Sequence, residues 1–288
     1  MTAAREQELG EALAGVRNRL ARAARTAGRD VADIELLPVT KFFPVSDVLM
    51  LRGLGCLAFG ESRNQEAVQK VAEISAIQGC DSLRWHMVGR VQRNKARSVA
   101  RWAHAVHSVD SAKVISALDR AALEALDDGG RTDPLRVYLQ ISLDGDETRG
   151  GVDVAATGRI DELCAAVERA PGLRFAGLMA IAPLGAAPGP AFARLQQEHD
   201  RVQNRHQQRL GLSAGMSGDL EAAVEHGSTC VRVGTALLGS RPLTSPEVVT
   251  PVTPSSQTPA TSDISVSSNT ANTSNTSNTS APREGSSR

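Results

Sequence analysis

Apolar residues recur along this chain with two periods, one helical and one extended. Residues 4–28 carry apolar side chains three and four positions apart, which predicts an amphipathic helix. The members of that apolar stripe are Leu9, Leu13, Val16 and Leu20. Beyond it, short apolar runs predict eight strands, at residues 34–40, 56–60, 84–88, 105–109, 137–143, 175–182, 212–216 and 231–238. Segments of helical period lie between them, among them residues 64–77, 112–126, 154–170 and 190–210.

This alternation predicts an α/β fold, a single (β/α)8 TIM-type barrel with an extra N-terminal helix. Eight strand–helix units in about 210 residues are the count of that barrel. Its strands are covered by helices and therefore read as near-continuous apolar runs, as these do. A doubly wound open sheet is the alternative, but it often has a Gly-rich turn after its first strand, and this chain has none there. The extra helix is expected either below the barrel or along its side.

The last part of the chain has a different composition. Residues 243–288 are dominated by Ser, Thr, Pro and Asn and contain no aromatic residue. Such a segment cannot bury enough apolar surface to offset its conformational entropy. We therefore predict a barrel domain over residues 1–242 and a disordered tail over residues 243–288.

Charge and cysteine content narrow the function classes. The 32 basic and 32 acidic residues give a net charge of zero, so there is no bulk electrostatic case for nucleic acid or an anionic membrane as partner. No apolar run approaches the roughly 20 residues of a membrane span. The four cysteines are far apart and form no CxxC pair, which argues against a zinc site and favours a reducing, cytoplasmic location.

The first predicted strand ends in a lysine. Lys41 follows the apolar run and is succeeded by Phe42 and Phe43. In this barrel the chemistry lies at the C-terminal ends of the strands. Apolar walls lower the pKa of a lysine, and the neutral amine is a nucleophile. The alternative interpretation is that Lys41 only marks the point where the strand meets solvent.

Small residues at the ends of the seventh and eighth strands suit a phosphate group. Ser217 and Gly218 precede a predicted helix that Asp219 is positioned to cap, and N–H groups at a helix N-terminus bind phosphate. Gly234 and Thr235 add further amides where this fold usually holds a phosphate. The alternative is that Gly234 only relieves packing inside the barrel.

Arg232 interrupts the otherwise apolar "CVRVG" of the eighth strand. A guanidinium is almost never buried without a partner, so Arg232 forms either a structural ion pair or a ligand contact. A ligand with an aldehyde, a phosphate and an aromatic nitrogen would satisfy Lys41, the phosphate-binding ends and Arg232 together. Pyridoxal 5′-phosphate (PLP) has those three groups.

Seven motifs follow one another in order along nearly the whole globular part. They are "PVTK" ending at residue 41, "FGE" with "QEA" at 59–67, "WHMVGRVQRNK" at 85–95, "HSVD" at 107–110, "GLMAI" at 177–181, "GMSGDLEAAVEHGST" at 215–229 and "VRVGTALLGSR" at 231–241. In this order and spacing the chain resembles the pyridoxal phosphate homeostasis protein family, also called YggS/PROSC-like. That family is related to the N-terminal barrel domain of alanine racemase.

The resemblance implies a cofactor site. PLP would be held as an aldimine on Lys41, with Ser217, Gly234 and Thr235 at its phosphate and Arg232 at its ring nitrogen. His86 and Asn94 would lie near the cofactor at the end of the third strand. The chain departs from the family pattern at two positions: Ser62 stands where asparagine is common, and Arg149 where lysine is frequent.

Two features favour a PLP-binding protein without evident catalysis over an enzyme. Arginine keeps its own proton, so a ring nitrogen facing Arg232 stays neutral and stabilises a carbanion weakly. A racemase also needs a second base, and the only tyrosine, Tyr138, lies early in the fifth strand. We therefore predict a protein that holds PLP and takes part in intracellular PLP homeostasis, with PLP-dependent client enzymes as partners. An amino-acid racemase is the enzyme alternative, and a lysine-imine aldolase, which would leave Arg232 unexplained, is the third.

Overall fold

The computed structural model describes residues 2–80 and 82–240. The predicted disordered tail and the domain boundary at residue 242 lie outside these described residues. The strands are β1 Glu35–Pro38, β2 Ala58–Glu61, β3 Arg84–Met87, β4 Ala105–Val109, β5 Leu135–Ser142, β6 Val152–Asp153, β7 Leu173–Ala180, β8 Gly211–Ser213 and β9 Cys230–Val233. The α-helices are α1 Thr2–Thr26, α2 Val45–Gly53, α3 Asn64–Ser75, α4 Ala96–Trp102, α5 Ala112–Asp127, α6 Thr157–Glu168, α7 Pro188–Gln203, α8 Leu220–Glu225 and α9 Thr235–Leu238.

Eight of these strands form a closed parallel ring. They pair in the order β1-β9-β8-β7-β5-β4-β3-β2, while the two-residue β6 pairs with β5 off this path. A parallel bridge between Val39 and Gly60 joins the two ends, and the Thr40 N–H donates to the Gly60 carbonyl at 2.9 Å. The predicted (β/α)8 barrel is confirmed, and the eight predicted strands are those of the ring.

Helix α1 lies along the side of the barrel, against α2, α8 and α9. Its predicted apolar stripe is buried in one cluster with the leucines of α9. Arg5 adds polar contacts at one end, donating to Asp47 Oδ2 at 2.7 Å and to the Leu238 carbonyl at 3.0 Å. The side position was one of the two expected from the sequence.

Side chains alternate between the helix layer and the barrel interior, as the period of a strand requires. In β9, Val231 and Val233 pack in the cluster beneath α1, whereas Cys230 packs with Leu37 and Ala58 on the other face. Arg232 therefore lies on the inner face with Cys230. This alternation is what brings polar side chains of several strands together inside the barrel.

One predicted strand is wrong over its second half. The apolar run at 231–238 forms a strand only to Val233, and Thr235–Leu238 is a short helix. Leu237 and Leu238 are buried against α1, so the run is apolar because of helix packing. A short apolar run does not by itself distinguish a strand from a buried helical turn. None of the helices in the described part of the chain is long and apolar enough to cross a membrane.

Candidate functional site

Lys41 and Gly234 lie at the C-terminal ends of two neighbouring strands. Lys41 follows the Val39–Thr40 end of β1, and Gly234 follows β9, which pairs with β1 in parallel. A Cβ atom placed on Gly234 would lie 3.6 Å from the Val39 carbonyl oxygen. That is an ordinary contact distance, and the φ of Gly234 is −108°, so packing does not require glycine here. The alternative that Gly234 only relieves packing is not supported.

The Lys41 side chain is exposed, which corrects the prediction that apolar burial activates it. Its Nζ lies 5.9 Å from the centroid of the Phe42 ring. Phe43 turns away and packs against the cluster beneath α1. The aromatic side chains following Lys41 therefore do not enclose its amine, because one joins the helix layer and the other shares the rim with Arg63. The Lys41 amine is therefore open to solvent in this arrangement.

Ser217 contacts the start of α9, so that it lies beside Gly234 and Thr235; we call these three residues the phosphate corner, after their predicted role. Its Oγ accepts a hydrogen bond from the Ala236 N–H at 3.1 Å, and its carbonyl accepts one from Arg19 at 3.0 Å. Thr235 is exposed at this corner. The predicted capping role of Asp219 is wrong: it occupies the N-cap position of α8, but its carboxylate accepts from the Met216 N–H at 2.6 Å and makes no cap bond to the helix.

Arg232 is buried in the barrel interior, with 5% of its surface exposed. Its Nη1 donates to Ser213 Oγ at 2.6 Å and its Nη2 donates to the carbonyl of Ala180, the last residue of β7, at 2.9 Å. Within the described residues it forms no salt bridge, so the structural ion pair considered from the sequence is absent there. Burial lowers the Arg232 pKa from its usual range, but a guanidinium stays charged in proteins.

A chain of hydrogen bonds continues from Arg232 across the barrel. We call His86, His107, Ser213 and Arg232 the inner polar chain. Ser213 Oγ lies 2.9 Å from His107 Nδ1, and His107 Nε2 lies 2.9 Å from His86 Nδ1. Burial lowers the His86 pKa to about 3 and holds the His107 pKa well below its usual value. Both rings are therefore neutral at physiological pH, and Arg232 is the only charge in the inner polar chain.

The structure places His86 in this chain, linked to Arg232 through His107 and Ser213. Its Nε2 is buried without a hydrogen-bond partner among the described residues. Asn94 lies in the exposed 3₁₀ turn Arg93–Lys95 that follows β3. Asn94 thus lies beyond the C-terminal end of its strand, as predicted. The roles of His86 and Asn94 near a cofactor stay predictions.

A second polar cluster, which sequence reasoning missed, lies between β2 and α3 and is buried except for its partly exposed Glu66. We call Thr40, Glu61, Glu66 and Lys70 the outer clamp. Lys70 Nζ donates to Glu61 Oε1 at 2.6 Å, to the Thr40 carbonyl at 2.9 Å and to Glu66 Oε1 at 3.2 Å. Thr40 Oγ1 donates to Glu61 Oε1 at 2.7 Å, and Glu66 Oε1 accepts from the Phe42 N–H.

The sequence did contain a signal for this cluster. Lys70 falls on the apolar stripe of α3, three residues after Ala67 and four before Ile74, and all three are buried. A lysine at such a position is almost never fully buried unless it is paired. Glu66, one turn earlier, is within i,i+4 reach of it.

Arg149, one of the two departures from the family pattern, is tied to neighbouring loops. Its Nη2 donates to the Ala182 carbonyl at 3.2 Å and its Nη1 to Asp144 Oδ2 at 3.4 Å. These contacts connect the segment after β5 to the end of β7. The two contacts use two different nitrogens of the planar guanidinium, and a lysine has only one side-chain nitrogen.

A rim lysine above an interior arginine, with small residues on the adjoining strand ends, defines the class: an α/β barrel built to receive a ligand at the C-terminal ends of its strands. Residues 12–242 match the family model of the alanine racemase N-terminal domain. The chain belongs to that family, and within it to the pyridoxal phosphate homeostasis proteins, so the resemblance predicted from the sequence is confirmed.

Three known proteins illustrate the relationship. The pyridoxal phosphate homeostasis protein of Mycobacterium tuberculosis is 57% identical over 248 residues, which are 84% of this chain and 96% of that protein. The structure of PipY of Synechococcus elongatus with PLP bound is 32% identical with a TM-score of 0.66, and covers 80% of this chain and 100% of that one. The alanine racemase of Streptomyces coelicolor shares the fold. It is 18% identical with a TM-score of 0.62, and the match covers 81% of this chain and 57% of that one.

Proposed function

We propose that this chain binds PLP at the C-terminal end of the barrel and takes part in PLP homeostasis as a carrier of the cofactor. The observation that carries the proposal is Arg232, a buried cation with two hydrogen bonds to neutral oxygens and no carboxylate partner in the described part of the chain. A guanidinium has five N–H groups, so donors remain for a ligand. The bound PLP in the PipY structure and the names of the close relatives support the same cofactor.

The residues present fit the chemical groups of PLP. When bound, PLP supplies an aldehyde that reacts with an amine and a pyridine ring that accepts electron density. The exposed Lys41 amine is free to reach an aldehyde at the rim. Gly234 leaves open the space that a side chain would fill beside Val39, and the adjoining turn carries the exposed Thr235 and the Ser217 hydroxyl, which accepts from the Ala236 N–H.

The same residues favour binding over catalysis. Arg232 cannot share a proton with a ring nitrogen, so the carbanion that a racemase or transaminase needs is poorly stabilised. Tyr138, the type of residue expected as a second base, is stacked on His107 with ring centroids 4.5 Å apart, and burial raises its pKa to about 12. Its hydroxyl would lie 3.1 Å from a Cβ placed on Gly211, the first residue of β8, at the opposite end of the barrel from Lys41.

As partners we propose apo forms of PLP-dependent enzymes, to which the chain would release its cofactor. A reducing, cytoplasmic compartment is proposed for this exchange, and it is supported by the four cysteines, all buried as free thiols. A covalent but reversible link to Lys41 would keep the reactive aldehyde from other amines until transfer.

Borohydride trapping tests the binding site. The purified chain is incubated with PLP, reduced, digested and mapped by mass spectrometry, with Lys41→Ala as the control. Label on Lys41 alone is expected. Label on Lys95 or Lys113 with none on Lys41 would overturn the assignment.

Solvent deuterium exchange separates a carrier from a racemase. The loaded chain is incubated in D2O with L- and D-alanine, and the α-proton is followed by NMR. A carrier leaves the α-proton in place and passes PLP to an apo-enzyme in a parallel assay. Rapid exchange of both enantiomers would instead favour the racemase.

A further inference from the structure

The turn that presents Lys41 has a backbone conformation that must be maintained by its surroundings. Phe42 has a φ of 70°, and among the described residues it is the one non-glycine in the left-handed region. Such a conformation is unfavourable for a bulky residue and persists only where contacts fix it. The contacts around residues 40–42 therefore determine the position of the Lys41 backbone, from which its side chain extends.

Side chains of α3 hold the backbone on both sides of Lys41. Before it, the Thr40 carbonyl accepts a hydrogen bond from Lys70 Nζ at 2.9 Å. After it, the Phe42 N–H donates to Glu66 Oε1. Lys70 also donates to that same oxygen of Glu66 at 3.2 Å, so the two contacts form one unit.

This unit rests on an ion pair that is costly to bury. Lys70 and Glu61 are separated by 2.6 Å, with 5% and 0% of their side chains exposed. Buried ion pairs are often no more stabilising than apolar residues of the same volume, because both charges lose their hydration. The geometry that the pair imposes is thus a better account of its presence than stability alone. Here that geometry is the position of the Thr40 carbonyl, which Lys70 fixes while Thr40 Oγ1 also donates to Glu61.

We propose that Lys70 and Glu66 are positioning residues for Lys41. They fix the peptide groups on either side of it, so that its long and otherwise exposed side chain starts from one place at the rim beside Gly234. Because a small displacement of a reacting group lowers its rate strongly, the clamp sets how fast Lys41 links to an aldehyde. This inference rests on the proposed function, since it assumes that Lys41 is the residue to which PLP becomes attached.

Two substitutions at Glu66 separate positioning from folding. Glu66→Ala removes the acceptor of the Phe42 N–H, whereas Glu66→Gln keeps an oxygen there. Glu73→Gln, on the exposed face of the same helix, is the control. The rate of PLP attachment to Lys41 is expected to fall about tenfold or more in Glu66→Ala and to stay near the parent value in the other two.

Two further measurements identify the cause of a slower attachment of PLP to Lys41. Affinity for pyridoxine 5′-phosphate, which lacks the aldehyde, is expected to be the same in all variants, because the clamp does not touch the phosphate corner. Amide hydrogen exchange at Phe42 is expected to be faster in Glu66→Ala alone, and this readout does not depend on PLP.

The outcomes distinguish the two proposals. Equal attachment rates and equal exchange at Phe42 in the Ala and Gln variants would overturn the positioning role and leave the proposed function standing. Absence of label on Lys41 in the parent chain would overturn the proposed function and this inference with it. Loss of pyridoxine 5′-phosphate binding in Glu66→Ala would mean that the substitution disturbs the whole site and would also count against positioning.

Discussion

The inner polar chain and the outer clamp both contain a buried cation, but the two cations have different partners. In the outer clamp the cation of Lys70 is matched by Glu61, with Glu66 one turn earlier on the helix. In the inner polar chain Arg232 is the only charge, and its hydrogen bonds go to a hydroxyl and a carbonyl. Burial raises the pKa of Glu61 and lowers that of Arg232, since desolvation disfavours the charged form of each.

This difference indicates which cluster is available to a ligand. A buried charge without a partner of opposite sign is unfavourable, and a ligand that accepts its free N–H groups relieves part of that cost. A compensated pair has little to gain from a ligand and serves instead to hold the backbone. We therefore assign recognition to the inner polar chain and positioning to the outer clamp, and each prediction below tests that division.

The largest effect is expected from breaking the ion pair of the outer clamp. Lys70→Met leaves Glu61 buried without its cation, which should lower the free energy of unfolding by about 3–5 kcal/mol. Urea denaturation at pH 7 measures the change. The double variant Lys70→Met with Glu61→Met should recover most of the loss, because the carboxylate that remains, Glu66, is partly exposed to solvent. A single variant that loses less than about 1 kcal/mol would show that the pair behaves as an exposed one.

A smaller loss of stability, with a loss of binding, is expected from the inner polar chain. Arg232→Met removes the donors to Ser213 Oγ and the Ala180 carbonyl, which should cost about 1–3 kcal/mol. PLP affinity should fall in the same variant, measured by fluorescence titration. Arg174→Met, at an exposed position of β7, is the matched control and should change neither quantity. Unchanged PLP affinity in a folded Arg232→Met variant would contradict the recognition role.

The pH dependence of stability should report the neutral histidines of the inner polar chain. Their pKa values are lowered in the folded state, to about 3 for His86, from an ordinary value of 6.5. Above pH 6.5 both states are neutral at these rings. Below pH 6.5 the unfolded chain takes up protons that the folded chain does not. The free energy of unfolding therefore decreases as the pH is lowered, by about 1.4 kcal/mol per pH unit for each ring.

Urea denaturation between pH 7 and pH 4.5 measures how the free energy of unfolding changes with pH. His86→Gln should reduce this slope by the contribution of one histidine ring. The groups that lower the His86 pKa besides burial are His104, Arg84 and Arg136, all basic. An identical slope in the parent and His86→Gln would mean that His86 binds its proton equally well in the folded and unfolded chains, contrary to its lowered pKa.

The smallest effect on stability is expected at the rim. Gly234→Ala places a methyl group at ordinary contact distance from Val39, so stability should change by less than about 0.5 kcal/mol. PLP affinity should nevertheless fall, because the methyl group occupies the proposed phosphate corner. Gly239→Ala is the contrasting variant: its φ of 84° makes alanine strained there, so stability should fall while affinity is kept. Full PLP affinity in Gly234→Ala would remove Gly234 from the site.

The fold could be predicted from the sequence because it depends on local periodicity. Apolar runs bounded by helical segments indicated each of the eight ring strands, and a parallel barrel places all of their C-terminal ends on one side. That rule was sufficient to bring Lys41, Ser217 and Gly234 to the same end of the molecule.

The hydrogen-bond partners of the buried charges could not be predicted, because they come from distant parts of the chain. Lys70 binds the carbonyl of a residue 30 positions away, and Arg232 that of a residue 52 positions away. The exposure of Lys41 depends on where Phe43 packs. The helical turn Thr235–Leu238 depends on the contacts that its leucines make beneath α1. The sequence by itself determined the barrel and the end of it that carries the site. The tertiary structure decided which buried charge is compensated and which is open to a ligand, since burial and hydrogen-bond geometry exist only once distant segments pack together.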